Sequence, residues 1–201
     1  MNKFLAKVGV AILALSTAAS GATMTAGVAT DFDNGWATWI EYDPYAARGT
    51  KNDRDNPLNA LGSNLDTFFE IGLGSTVTLQ FGKQFAANGT GTLFEVTFGN
   101  VSGWPESIDI FVGSISTGTF EFVRSMTNAE AAGGGSFSFS GGPFDALQLV
   151  DTSNAIGNDT TGGWDIAAAR VSVVPLPAGG LLLLTGLGAL ALYRRRKQAE
   201  A

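Results

Sequence analysis

The central part of this chain predicts an all-β fold, an antiparallel β-sandwich, on three observations. Short segments alternate apolar and polar residues with a period of two. Gly, Asn, Asp and Ser break those segments roughly every ten residues. No window between the two ends repeats apolar residues at helical spacing. Period-two alternation sends successive side chains to opposite faces, so each segment buries one face.

The elements follow in order. Residues 76–81 (TVTLQF) set Val77, Leu79 and Phe81 on one face. Residues 92–98 (TLFEVTF) group Phe94, Val96 and Phe98, and residues 107–112 (SIDIFV) align Ile108, Ile110 and Val112. Residues 119–123 carry Phe120 and Phe122, and residues 136–140 carry Phe137 and Phe139. Residues 144–150 pair Leu147 with Leu149, and residues 164–173 close the series. Residues 128–135 (NAEAAGGG) predict a flexible loop or one short turn, because three consecutive glycines disfavour a regular element.

The whole chain is 201 residues, room for one domain plus targeting segments. Six basic residues face 17 acidic ones between residues 23 and 173, a net charge of −11 there. Such an acidic middle argues against nucleic acid, whose phosphates need a basic face. The chain has no Cys and no His. That removes disulfides, thiolate nucleophiles and Zn–thiolate sites, together with the commonest general base. Catalytic residues are therefore expected to be none. The acid pairs Glu41 with Asp43 and Asp53 with Asp55 read as solubilising groups, since nothing holds them at a working separation. Residues 48–55 (RGTKNDRD) read as a solvated loop of alternating charge.

Both ends carry targeting chemistry. Residues 1–22 read as a helical, cleavable signal peptide: Lys3 and Lys7, then the apolar run VGVAILAL, then Ser20-Gly21-Ala22. Signal peptidase and the Sec machinery are the implied partners, with residues 23–36 left as a linker to a domain at 37–173. The other end, residues 174–201, begins Val174-Pro175-Leu176-Pro177-Ala178. An apolar, glycine-bearing transmembrane-type helix follows over 178–193, and Arg194, Arg195, Arg196 and Lys197 form a basic stop. The apolar segment spans about 24 Å as a helix against about 30 Å of hydrocarbon, a marginal anchor. The basic stop stays cytoplasmic and leaves the domain outside that membrane.

This order of motif, apolar segment and basic cluster resembles the PEP-CTERM family of sorting signals, in its VPLPA variant. The resemblance implies a Gram-negative bacterium, an exosortase-type transpeptidase as partner, and transient anchoring in the inner membrane. Release to the cell surface or extracellular matrix would follow, in association with exopolysaccharide and biofilm.

The middle is similar to a recurrent ectodomain of those proteins, a jelly-roll sandwich of the galactose-binding or discoidin-like type. The stretches that carry the likeness are WIEYDP at 39–44, NPLNALG at 56–62 followed by Asp66, and FEIGLGSTVTLQFG at 69–82. LQLVDTS at 147–153 and GWDIAA at 163–168 complete it. Two departures stand out: residues 63–66 (SNLD) replace the usual Asp-Gly turn, and Ala167 replaces a second acid.

The resemblance brings Asn56, Asp66, Asp151 and Asp165 to one end of the sandwich, where they would ligate a structural Ca²⁺. The alternative is that these residues form turns and caps. For glycan binding, Trp36, Trp39, Trp104, Trp164, Tyr42 and Tyr45 are available platforms. Trp104 is the candidate, because it sits in the loop NVSGWP where packing does not obviously need it, with loop packing as the alternative; Trp164 fits a core position beside Ile166. The expected function is a non-enzymatic, exosortase-sorted surface or matrix protein; the alternative is a lectin-like carbohydrate-binding module with a structural Ca²⁺, and a polysaccharide hydrolase is the third reading.

Overall fold

The alternating segments close into two antiparallel sheets. A computed structural model describes residues 24–27, 34–97, 101–155 and 162–173. The first sheet has six strands: β1 (Met24–Gly27), β2 (Trp39–Tyr42), β4 (Thr76–Gln80), β6 (Ser107–Ser114), β7 (Thr119–Thr127) and β9 (Ala146–Asp151), in the order β1-β2-β4-β9-β6-β7. The second has four: β3 (Phe69–Glu70), β5 (Thr90–Glu95), β8 (Gly135–Ser138) and β10 (Asp165–Val171), in the order β3-β10-β5-β8.

Register turns the alternation into a core. Ile40 pairs with Leu79, Leu79 with Leu147, and Leu147 with Val112, one row across four strands. A second row runs Tyr42, Val77, Leu149, Ile110. Apart from the half-buried Tyr42, all of these are essentially inaccessible. Each fully buried aliphatic side chain contributes about 1.5–3 kcal/mol relative to exposure. The second sheet meets these rows with Phe69, Leu93, Phe137, Ile166 and Ala169, which belong to the same core. Trp164 is fully buried, as expected from its place beside Ile166.

Two expectations change. The segment 23–36 contributes β1, an edge strand paired with β2 through Met24↔Tyr42 to Gly27↔Trp39, so the domain extends before residue 37. Four residues of MTAG carry no readable alternation, and the pairing runs through the backbone. Gly27 lets the Trp39 indole lie across it, since a Cβ there would stand 2.6 Å from Trp39 Cδ2.

Strand β5 presents the opposite face to the one its phenylalanines suggest. Leu93 and Glu95 point inward, while Phe94 is half-buried and packs on Trp36 with ring centroids 5.8 Å apart. Of the two readings for residues 128–135, the short turn forms: a helical turn, α1 (Asn128–Ala131), closed by a capping box between Thr127 and Glu130. The expected signal peptide and the sorting tail at 174–201 lie outside the described residues. Among the described residues, no helix is long and apolar enough to cross a membrane.

Candidate ligand cleft

The loop before β6 carries Trp104, and α1 positions it. Asn128, 1% exposed, donates from Nδ2 to the Trp104 carbonyl at 2.7 Å and to Thr97 Oγ1 at 3.1 Å. Its Oδ1 accepts from the Glu106 N–H at 3.3 Å, and its own N–H donates to the Glu106 carbonyl at 3.1 Å. One buried amide therefore clamps both ends of Trp104-Pro105-Glu106. The capping box holds Asn128 in turn, with the Thr127 N–H on Glu130 Oε2 at 2.8 Å. Trp104 remains 42% exposed, at the rim of a cleft of about 200 Å³ lined by Arg54, Thr97, Glu106, Gly162, Gly163 and Asp165. Gly163 is required where it stands: a Cβ would meet the Gly72 backbone at 2.8 Å.

Beneath the cleft five acidic side chains gather from five places in the chain. Glu70 on β3 is the cross-strand partner of Asp165 on β10, and Ile166 pairs with Glu95 on β5. Glu106 enters from the Trp104 loop and Asp151 from the end of β9. Like charges directly across a ladder are unfavourable unless something offsets them. For Glu70 the offset is Arg54, with Nη1 to Oε2 at 3.0 Å, and the Gly49 N–H on Oε1 at 3.1 Å. Asp151 accepts from the N–H groups of Gly74, Ser153 and Trp164 and from Ser153 Oγ. Burial still pushes its carboxyl up.

Proton retention is the offset for the other three. Burial raises Glu95 to about 7, against the opposing hydrogen bonds from Thr97 and Glu106. Burial first, and then the charges of Asp165, Glu95, Asp151 and Glu70, raise Glu106 to about 9. Burial raises Asp165 to about 8, against the opposing field of Arg54. Two carboxyl groups that hydrogen-bond to each other, as Glu95 and Glu106 do, share a proton between them.

Of the four residues expected to ligate calcium, Asp151 and Asp165 join the acidic group beneath the cleft. Asn56 caps the 3-10 turn Pro57–Ala60 by accepting from the Leu58 N–H, and donates to Asp53. Asp66 is exposed, with its N–H on Asn64 Oδ1. Asp151 has its carboxylate oxygens occupied by four donors, and Asp165 lies in the cleft. Among the described residues, no group of three or more acidic side chains stands close enough to hold a metal ion.

The loop read as solvated instead supplies an internal cation. The Arg48 guanidinium donates to the carbonyls of Asp43, Ala46, Glu70 and Ile71 at 2.7, 3.4, 2.7 and 3.0 Å. It also lies 4.8 Å from the Phe69 ring centroid. Desolvation lowers its pKa, and Asp43 is the largest opposing charge. Of the other aromatic platforms, Trp36 carries Arg170 at 5.4 Å, Trp39 lies over Gly27, Tyr42 packs on Phe69, and Tyr45 is 79% exposed.

No family model matches the chain, and no curated protein does. Solved structures similar to it include the family-32 carbohydrate-binding module of AlyQ in complex with 4,5-unsaturated mannuronic acid. That likeness has 20% identity and a TM-score of 0.42, over 64% of this chain and 95% of that one. Another is the C-terminal domain of a chitobiase from Bacteroides fragilis, at 12% identity and a TM-score of 0.49, over 71% and 97%. A pectin-binding carbohydrate-binding module aligns at 14% identity and a TM-score of 0.40, over 61% and 81%. The sandwich described here rests on this chain's own strand pairing.

Proposed function

We propose that this chain is an exported, non-catalytic protein whose β-sandwich binds carbohydrate in the Trp104 cleft. The observation that carries the reading is the half-exposed Trp104 indole at the rim of a cleft floored by polar side chains, with its backbone clamped by Asn128. An aromatic face covers the apolar side of a pyranose, and planar carboxyl and guanidinium groups meet its hydroxyls. A fixed platform limits the ordering entropy lost on binding. Titration of the full chain against a panel of neutral and amino-sugar oligosaccharides tests this. Binding that Trp104→Ala removes without a change in melting temperature supports it; no binding to any glycan overturns it.

The two ends supply the address. In this reading the signal peptide exports the chain, and the tail at 174–201 holds it transiently in the inner membrane for an exosortase-type transpeptidase. The domain then joins an exopolysaccharide matrix at the cell surface. The order Val174 to Ala178, apolar segment, Arg194 to Lys197 supports this. Deleting residues 174–201 and fractionating cells tests it: the domain should leave the surface fraction, and an unchanged distribution would end the sorting proposal. Calcium has no part in this reading: among the described residues no group of three acidic side chains stands close enough to hold it.

A further inference from the structure

We propose that the Trp104 cleft selects sugars that carry a protonated amino group, held between the carboxyl groups of Glu106 and Asp165. The inference rests on the carbohydrate reading above and names the ligand class.

Two atoms point to it. Glu106 Oε2 and Asp165 Oδ1 are buried, and among the described residues no group donates to either. Asp165 is only 5% exposed and lines the cleft, and its Oδ1 is an acceptor without a donor beside it. A buried acceptor without a donor costs about 1–3 kcal/mol, and more for a charged group. The neighbouring acids are already served: Glu70 by Arg54 and Gly49, Glu95 by Thr97, Asp151 by four donors. The unmet capacity is thus concentrated on the two acids that face the cleft.

Charge points the same way. Two acids and one arginine line the cleft, and that arginine is engaged by Glu70 at 3.0 Å. Glu70, Glu95 and Asp151 add their fields to those of Glu106 and Asp165. Burial and that crowding make Glu106 and Asp165 hold protons in the free chain; a cation in contact lets them give those protons up, whereas a uronate carboxylate would add to the crowding. An ammonium group suits the geometry better than a divalent metal. Calcium takes about 6–8 oxygen ligands, and no three acidic side chains converge to metal distance among the described residues. An ammonium group brings three N–H donors, two for the unmet oxygens and one for solvent at the mouth. The adjacent Trp104 serves the ring that bears it.

The test is titration calorimetry on the full chain, in a detergent without a sugar headgroup. Hexamers of glucosamine and of galactosamine are compared with their N-acetylated counterparts and with Ca²⁺ alone, at about pH 5.5, where the amines are mostly protonated. A free-amine hexamer is expected to bind about tenfold tighter than its acetylated counterpart, the worth of one charge-assisted hydrogen bond. Glu106→Gln, which keeps the shape and the bond to Glu95, should abolish that preference while the fold holds. Asp165→Asn should do the same. Equal binding of amine and acetylated hexamers, lost in Trp104→Ala, would overturn this inference and leave the carbohydrate reading standing. No binding of any hexamer would overturn both. Binding of Ca²⁺ alone, lost in Glu106→Gln, would make the pair a metal site and overturn the inference.

Discussion

The Asn128 side-chain amide donates to the Trp104 carbonyl at 2.7 Å while its oxygen accepts from the Glu106 N–H at 3.3 Å. A buried residue in one short helical turn thus sets both the platform and the floor of the cleft. Asn128→Ala should leave the Glu106 N–H and the Trp104 carbonyl without these partners. A loss of about 2–3 kcal/mol is expected in urea denaturation, with weaker glycan binding. Asn128→Asp keeps the acceptor and loses the two donors, and should weaken binding as well.

Stability should fall as pH rises from acid to alkaline. Glu95, Glu106 and Asp165 hold their protons in the folded state up to about 7, 9 and 8, against ordinary values of 4.5, 4.5 and 3.8. Between those limits the native state binds more protons than the unfolded chain. Unfolding is therefore favoured as pH rises through that window, and the effect levels off above about 9. Each group contributes at most about 1.4 kcal/mol per pH unit. The facing groups are Glu70, Asp151 and Arg54; Arg54 offsets part of the effect at Asp165. Melting temperature measured from pH 5 to 9 should decline, and Glu106→Gln should flatten the decline. A rising profile would contradict the buried acid cluster.

Arg48 is expected to be structural. Arg48→Met removes a guanidinium that donates to four backbone carbonyls. The expected cost is about 3 kcal/mol or more in chemical denaturation, because the carbonyls stay half-buried without donors. Arg48→Lys should recover only part, since a point charge cannot reach several acceptors as a planar fork does. A neutral effect of Arg48→Met would show that water replaces it.

Leu149 sits at 0% exposure in the second core row between Val77 and Ile110. Leu149→Ala should cost about 2–5 kcal/mol through lost burial and the cavity left behind. Phe122→Ala, at 57% exposure on the edge strand β7, should cost far less. The pair of melting curves separates core from edge. Equal losses would contradict the assigned faces.

The strands that carry the core were legible because their alternation is local. Val77, Leu79, Ile108, Ile110, Leu147 and Leu149 lie on one face by spacing alone, and burial follows. Trp104 was legible as a loop aromatic, and it stands 42% exposed. Strand β5 misled: three aromatic or aliphatic residues suggested the inward face, yet Leu93 and Glu95 occupy it. A lone acid inside an apolar strand was the available signal, and periodicity alone gives it no partner.

Local pattern determined that this chain makes short antiparallel strands and, outside β5 and β7, where their apolar faces lie. Each depends on neighbours a few residues apart. Tertiary structure alone decided that Glu70 stands opposite Asp165, that Glu106 and Asp151 join them, and that Asn128 clamps Trp104. Those contacts join residues far apart in the chain. Their chemistry comes from shared burial, which raises a carboxyl's pKa only once the sheets have excluded water around it.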